Sequence, residues 1–238
     1  MTVTHAMVLA AGLGTRMRPL TLTTPKPLVA VAGKTLLDWA LDTLAKAGVS
    51  HAVVNLHHLG SLIERHVRDR VVPRITCVTE DPVLETGGGV EHALPHLGDA
   101  PFYVLNSDGL WIDAPDSAAL RTMATLWDDA RMDALLLLHD PKAAFGYDGP
   151  GDFTRASTGQ LTRRKDGDAH AEVFTGVQLL HPRLFKDAPG GVYSLNVLYD
   201  RALKSGRLFG LTCPGEWHHV GTMEALSLSD AHLRRRTP

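Results

Sequence analysis

The sequence has little that would mark a secreted, membrane-spanning or nucleic-acid-binding protein. Only two of its 238 residues are cysteine, Cys77 and Cys213, and neither has a partner at metal-binding or redox spacing. Both read as buried free thiols, which suits a reducing compartment. No apolar run approaches the roughly 20 residues that span a bilayer. The opening MTVTHAMVLAAG has no basic stretch ahead of its apolar core, so it reads as a first strand and not as a signal peptide. Charge is nearly balanced, at 24 basic against 26 acidic residues, which excludes the broad positive field that nucleic acid or an anionic membrane calls for. The single basic cluster, Arg234, Arg235 and Arg236, reads as a solvated helix end. What remains is the composition of an ordinary cytoplasmic globular protein, long enough to bury a core without a disulfide or metal staple.

The apolar pattern alternates between two periods. Residues 6–9, 52–56, 75–78, 102–106 and 134–139 read as short buried strands. Residues 36–44, 61–70, 89–96 and 117–130 read as helices, with Gly48 closing the first. Such alternation predicts βαβ units and an α/β fold: a Rossmann-like, three-layer, mostly parallel sheet with right-handed connections. The glycine-rich stretch 146–160, followed by 161–164 and 172–180, predicts small antiparallel ribbons inserted beside that sheet. A helix over 195–205, a strand over 208–213 and a terminal helix over 223–235 complete the reading. Ligands of such sheets bind beyond the carboxyl ends of the strands, which directs attention to the loops after Leu9, Val78 and Leu105.

The first of these loops carries the strongest signal, LAAGLGTRMRPLTLTTPKPL from Leu9 to Leu28. Gly12 and Gly14 allow a sharp turn that brings backbone N–H groups against a phosphate. Arg16 adds a planar fork suited to phosphate oxygens. Lys26, between Pro25 and Pro27, is a stiffly presented cation that can offset charge building on an α-phosphate. Two commoner phosphate loops are incomplete here. A dinucleotide fingerprint needs glycine where Met17 stands, and the P-loop suggested by Gly33-Lys34-Thr35 needs glycine where Leu28 stands.

Other loops carry carboxylates. Asp108 follows a buried strand at its carboxyl edge and suits Mg²⁺, which takes one or two protein carboxylates and leaves its other positions to phosphate and water. An Asx turn with Gly109 is the competing reading. Glu80 and Glu85 flank the loop VTEDPVLETGGG. One acceptor with backbone donors reads the uracil edge, and the same carboxylate suits guanine, so the loop favours U or G over C and A. Gly87, Gly88 and Gly89 would let a base or ribose lie close to the main chain, and Thr86 reads as a helix cap. His57 and His58 have no supporting context and read as surface residues.

Taken together, G-x-G-T-R-x-x-P with P-K-P resembles the signature of the sugar-nucleotide pyrophosphorylases, also called nucleotidyltransferases. ETGGG, NSD, GDF, FTGV and W-x-x-VGT follow in the family's order through nearly the whole chain. The compact length and the pairing of LETGGG with GDF are most similar to the uridylyltransferases of peptidoglycan recycling that act on N-acetylmuramic acid 1-phosphate. The resemblance implies transfer of a nucleotide from UTP to a sugar 1-phosphate with release of pyrophosphate. It implies catalytic roles for Arg16, Lys26 and Asp108. It implies nucleotide binding by Ala11, Gly12, Gly14, Thr15, Arg16, Lys26, Glu80, Glu85, Thr86, Gly87 and Asn106. Asp152, Thr175 and Gly176 match family positions that face the sugar, and Glu172 is a further candidate for sugar binding.

The implied cofactor is Mg²⁺, with Mn²⁺ or Co²⁺ as alternatives, held by Asp108 and by whatever stands before V-G-T. The family usually has aspartate there, whereas this chain has His219. An imidazole is the poorer Mg²⁺ ligand, so weaker Mg²⁺ binding, a water-mediated contact or a direct contact of His219 with substrate phosphate all follow. One domain over 1–238 is expected, with a nucleotide part at about 1–140, a sugar part at about 141–222 and a C-terminal helix over 223–238, as a monomer or small homo-oligomer. Two alternatives stay open: a guanylyltransferase for mannose or heptose 1-phosphate, and a non-catalytic nucleotide-sugar binding protein. A glycosyltransferase of similar architecture usually carries Asp-x-Asp, whereas Gly109 and Leu110 follow Asp108.

Overall fold

A computed structural model describes residues 1–236; residues 237 and 238, which the expected terminal helix would include, lie outside the described residues. Strand β1 (His5–Leu9) leads through the glycine loop to helix α1 (Leu36–Lys46), then β2 (His51–Leu56), α2 (Gly60–Val67), β3 (Arg74–Thr79), α3 (Glu85–Ala93) and β4 (Phe102–Asn106). After β4 come β5 (Gly109–Asp113), α4 (Ala119–Leu126), β6 (Ala134–His139), the ribbon β7 (Phe153–Arg155) and β8 (Leu161–Arg163), and β9 (Val173–Leu180). The chain finishes with α5 (Asn196–Lys204), β10 (Leu208–Thr212), β11 (Gly215–His219) and α6 (Met223–Arg234).

Seven strands form one sheet in the order β10-β6-β9-β4-β1-β2-β3. All its neighbours are parallel except β9, which runs antiparallel to both β4 and β6. Side chains alternate across β1: Ala6 and Val8 join the apolar layer under α1, α2 and α4, while Met7 joins the layer under α3 and α5. Helices therefore cover both faces, and the expected three-layer α/β architecture is present. The α1 pattern explains its own placement, since Leu37, Leu41 and Leu44 share one buried stripe and the Thr35 hydroxyl accepts the Asp38 N–H at 3.0 Å.

Strand order reverses between β1 and β4: the chain leaves β1 for β2 and β3 on one side, then returns to place β4 on the other. Such a switch point opens a crevice at the carboxyl ends of the two strands. Leu9 and Asn106 end those strands side by side, and Ser107 donates from both its backbone N–H and its hydroxyl to the Leu9 carbonyl, at 3.2 and 2.6 Å.

Several expectations need correction. Residues 172–180 do not form a ribbon beside the sheet; β9 is one of its inner strands, and almost every one of its side chains is buried. A strand covered on both faces loses the polar alternation by which a half-exposed strand is recognised. The helix expected over 117–130 stops at Leu126, and the Asp128 carboxylate accepts the Ala130 N–H at 3.1 Å, a local bond that competes with helix continuation. Cys77 is half-buried, while Cys213 is buried as expected. Finally, β5 and β11 pair as an unforeseen antiparallel ribbon, with Gly109 opposite His219. No helix among the described residues is long and apolar enough to cross a membrane.

Candidate active site

The crevice at the switch point is a cavity of about 570 Å³. Its wall carries Ala11, Gly12, Gly14, Thr15, Arg16 and Lys26 from the glycine loop, Glu80, Glu85 and Thr86 from the β3–α3 region, and Asn106 and Asp108 from the end of β4. Ten of the eleven residues that the sequence assigned to nucleotide thus meet in one place, with Asp108 beside them.

The local conformation of the glycine loop explains two of its glycines. Gly14 has φ of 60°, and a Cβ there would lie 2.9 Å from the Thr21 methyl and 3.1 Å from Lys26 Cβ. Its bare backbone lets the loop fold back on the proline-flanked lysine, and the Thr21 hydroxyl donates to the Gly14 carbonyl at 2.8 Å. At Gly12 a Cβ would meet nothing within 4 Å, so the backbone lies open to the cavity.

Lys26 is 12% exposed, and its Nζ donates to Asp108 Oδ2 at 2.9 Å across the crevice. Burial alone would raise the Asp108 pKa. Lys26, with smaller contributions from His219 and Arg16, more than offsets that and holds the carboxyl below its ordinary value, so it is ionised at neutral pH. No hydrogen bond among the described residues engages Asp108 Oδ1, which leaves that oxygen free for a cation. The ribbon of β5 and β11 sets His219 next to this pair: the Val220 N–H donates to the Asp108 carbonyl at 2.8 Å. The His219 ring stacks on Trp217 at 5.7 Å and 9°. Desolvation, helped by Lys26 and Arg16, lowers the His219 pKa despite the opposing pull of Asp108, so the ring is neutral. A Cβ on Gly221, which lines the cavity, would touch both the His219 ring, at 3.0 Å, and Arg16 Nη1, at 3.2 Å; Arg16 lines the cavity with it, whereas His219 stands behind that wall.

Not every assigned residue is free to meet a ligand. Glu80 is 2% exposed; its Oε1 accepts Asn55 Nδ2 at 2.6 Å and its Oε2 accepts the Leu84 N–H at 2.9 Å. Asn55 Oδ1 in turn accepts the Ala10 N–H at 2.6 Å, so this buried chain ties the glycine loop to the start of α3. Glu85 is exposed at the cavity rim in the left-handed region, with φ of 63°. The helix begins at Glu85, earlier than expected, and Thr86 does not cap it; the Thr86 hydroxyl accepts the Leu195 N–H at 2.9 Å. The expected role of Gly87, Gly88 and Gly89 is corrected too. All three are buried, and a Cβ would overlap Tyr193 at Gly87 and the Gly191 carbonyl at Gly88, and would lie 2.6 Å from Glu80 Oε1 at Gly89. Their bareness accommodates the packing of neighbouring protein atoms.

The four residues assigned to sugar do not line the cavity. The Asp152 carboxylate accepts the Phe174 N–H at 2.9 Å, and Glu172 pairs with Arg155 and the Thr212 hydroxyl. Thr175 is buried with its hydroxyl donating to the Leu137 carbonyl at 2.9 Å. Gly176 alone borders the site, packed against the Asn106 side chain. His57 and His58, expected at the surface, are half-buried and donate to the carbonyls of Glu80 and Thr21 at 2.9 and 2.8 Å, bracing two of the cavity's loops. Asn55 and Ser107 escaped sequence reasoning; the signal available for Asn55 was a polar residue inside the otherwise apolar strand AVVNL.

Comparison with known proteins bears on what such a cavity does. A family model described as nucleotidyl transferase matches residues 5–156. The chain is 42% identical over 233 residues to N-acetylmuramate alpha-1-phosphate uridylyltransferase of Caulobacter vibrioides, covering 96% of each protein. It is 35% identical over 230 residues to the protein of the same name from Neisseria meningitidis, covering 95% of this chain and 96% of that one. A mannose-1-phosphate guanylyltransferase catalytic subunit beta of Danio rerio matches at 42% identity over 108 residues, 43% of this chain and 30% of that protein. Among solved structures, UDP-glucose pyrophosphorylase complexed with UDP-glucose superposes with a TM-score of 0.80 at 18% identity, over 98% of this chain and all of that one. That last likeness bears on the fold alone.

Proposed function

The chain belongs to the nucleotidyl transferase family, and from that premise we propose that it joins UTP to N-acetylmuramic acid 1-phosphate, giving the UDP-sugar and pyrophosphate. It is a sugar-1-phosphate uridylyltransferase. The observation that carries the reading is the Lys26–Asp108 pair, closed across a crevice whose floor is the open backbone of Gly12. The full-length match to the two uridylyltransferases, against the partial match to the guanylyltransferase, favours UTP and an N-acetylmuramate phosphate. Glu85, strained at the rim, is the acceptor best placed to read the base edge, because Glu80 is committed to Asn55 and Leu84.

The reaction is an in-line displacement. An oxygen of the sugar phosphate forms a bond to the α-phosphorus of UTP, and the bond from that phosphorus to the bridging oxygen of the β-phosphate breaks. The nucleophile is a phosphate monoester, largely a dianion at neutral pH because its second pKa is about 6. No general base is needed. Catalysis reduces to positioning and charge neutralisation. The loop backbone cradles phosphate, Arg16 forks onto phosphate oxygens, and Lys26 turns from Asp108 to the α-phosphate as charge builds there.

Asp108 suits a divalent cation: it is ionised, it faces the crevice, and Oδ1 is free. Mg²⁺ held there would supply charge neutralisation on the triphosphate and the leaving pyrophosphate. The neutral His219 would add an imidazole to the cation's surroundings, a donor that suits Mn²⁺ or Co²⁺ better than Mg²⁺. Pyrophosphate release measured with UTP or GTP against a panel of sugar 1-phosphates tests the assignment. Turnover with UTP and N-acetylmuramic acid 1-phosphate, at least about tenfold above every other pair, is expected. A preference for GTP with mannose or heptose 1-phosphate would replace it with the guanylyltransferase reading, and release with no pair would leave a nucleotide-sugar binding protein.

A further inference from the structure

Strand β11 presents its side chains alternately to two faces. Trp217 and His219 stack together on one face, while Glu216 and His218 face the other, where they meet His232 of α6. There Glu216, His218 and His232 converge, with one ligand-capable atom of each within 4.8 Å of the others. His232 Nε2 stands 3.0 Å from Glu216 Oε2, and His218 Nε2 stands 3.5 Å from the same oxygen.

His218 is the telling member. It is completely buried, and its Nδ1 is engaged with the Ser229 hydroxyl at 3.1 Å, but its Nε2 points into the cluster without a well-formed hydrogen bond, its only neighbouring acceptor being Glu216 Oε2 at the outer limit of 3.5 Å. A buried ring nitrogen left this way carries a desolvation cost that a hydrogen-bonding partner or a ligand would remove. Phe145 fixes the direction, stacking on His218 at 4.3 Å and 7° and leaning on His232 at 4.4 Å. In a tetrahedral zinc site with bonds of about 2.0–2.1 Å, neighbouring ligand atoms stand roughly 3.4 Å apart. The separations of 3.0 and 3.5 Å bracket that value.

We propose that Glu216, His218 and His232 form a second metal site, on the back of the ribbon that carries His219, for Zn²⁺ or a similarly borderline divalent ion. Two imidazoles and a carboxylate select such an ion over Mg²⁺ or Ca²⁺, and three protein ligands leave the fourth position to water. The surroundings are those that orient metal ligands: the Ser229 hydroxyl can accept from His218 Nδ1–H and so hold the ring with Nε2 toward the cluster, and Arg236 pairs with the other oxygen of Glu216. The Arg236 cation also repels a metal ion, which limits the affinity without occupying the ligand positions. An ion here links α6, through His232 and Ser229, to β11, and so stiffens the wall on which His219 meets Asp108.

The test uses full-length chain stripped with a chelator, then titrated with Zn²⁺ by calorimetry and followed by thermal melting, with Co²⁺ as a spectroscopic substitute. Wild type binds one Zn²⁺ per chain with Kd on the order of micromolar, and its Tm rises by about 5 °C at roughly a hundredfold excess over Kd. Asp108→Asn retains that site. Glu216→Gln and His232→Gln each weaken it at least about a hundredfold and abolish the rise, while kcat/KM with Mg²⁺ stays within about twofold of wild type. Failure of wild type to bind Zn²⁺ below millimolar overturns the proposal. So does binding that disappears in Asp108→Asn yet survives in His232→Gln, since the ion would then occupy the crevice.

Discussion

Replacing Lys26 with methionine keeps the length and apolar stem of the side chain and removes only its charge. In the folded protein that charge sits 2.9 Å from Asp108 at the mouth of the phosphate cradle. Suppose half a unit of negative charge develops about 3 Å from Nζ as the α-phosphoryl group transfers. At an effective dielectric near 20 the attraction is worth about 3 kcal/mol, and losing it should lower kcat by roughly 10²-fold. The effect should fall mainly on kcat, because charge that appears only in the transition state does not change ground-state binding. A second signature follows from the ion pair. Lys26 is the largest influence holding the Asp108 carboxyl low against its burial, so Lys26→Met should move the acid limb of the kcat/KM profile to higher pH. Steady-state pyrophosphate release across pH, with saturating UTP and metal, measures both. Wild-type kcat in Lys26→Met, or a defect confined to KM with an unmoved acid limb, would refute the role given to Lys26.

Three further outcomes are expected. His219→Asp puts a carboxylate beside Asp108 and should lower the Mg²⁺ concentration for half-maximal activity by about tenfold while shrinking any advantage of Mn²⁺ or Co²⁺; metal titrations of activity report it, and an unchanged profile removes His219 from the cation's surroundings. Gly88→Ala forces a methyl into the Gly191 carbonyl, so it should cost at least about 2 kcal/mol and lower Tm by about 5 °C; a neutral melt would contradict the packing of α3 on that segment. Desolvation lowers the His218 pKa to about 4, against 6.5 unperturbed. The unfolded chain therefore takes up this proton first, and stability is lost as pH falls from about 6.5 toward 4, by up to about 3 kcal/mol. Denaturant melts in the absence of Zn²⁺ should show that slope, and His218→Asn should flatten it.

The phosphate loop was legible in the sequence because its chemistry is local. Glycines, an arginine and a proline-flanked lysine within 20 residues act through backbone conformation and charge, and neither needs a distant partner to be recognised. The alternating periods gave the βαβ order for the same reason, since each strand and helix declares its buried face within a few residues. What stayed hidden was whatever depended on partners far along the chain. Residues 172–180 read as a ribbon because nothing local shows that β4 and β6 will lie on either side. The sequence does not show that Asp152, Glu172 and Thr175 also hold the fold together, through Phe174, Arg155 and Leu137. Nor does it show that Gly87, Gly88 and Gly89 must be bare to let Tyr193, Gly191 and Glu80 pack against them.

The sequence by itself determined the kind of chemistry: a triphosphate-gripping loop, an acidic residue after a strand and no need for a general base. Only the tertiary structure decided that Lys26 and Asp108, 82 positions apart, neutralise each other across one crevice. It also decided that Asn55 and Glu80 hold that crevice together, and that His218 ends buried with one nitrogen lacking a well-formed hydrogen bond. Charge pairing and burial depend on distance in space, and distance along the chain does not encode it until the sheet has placed its strands side by side.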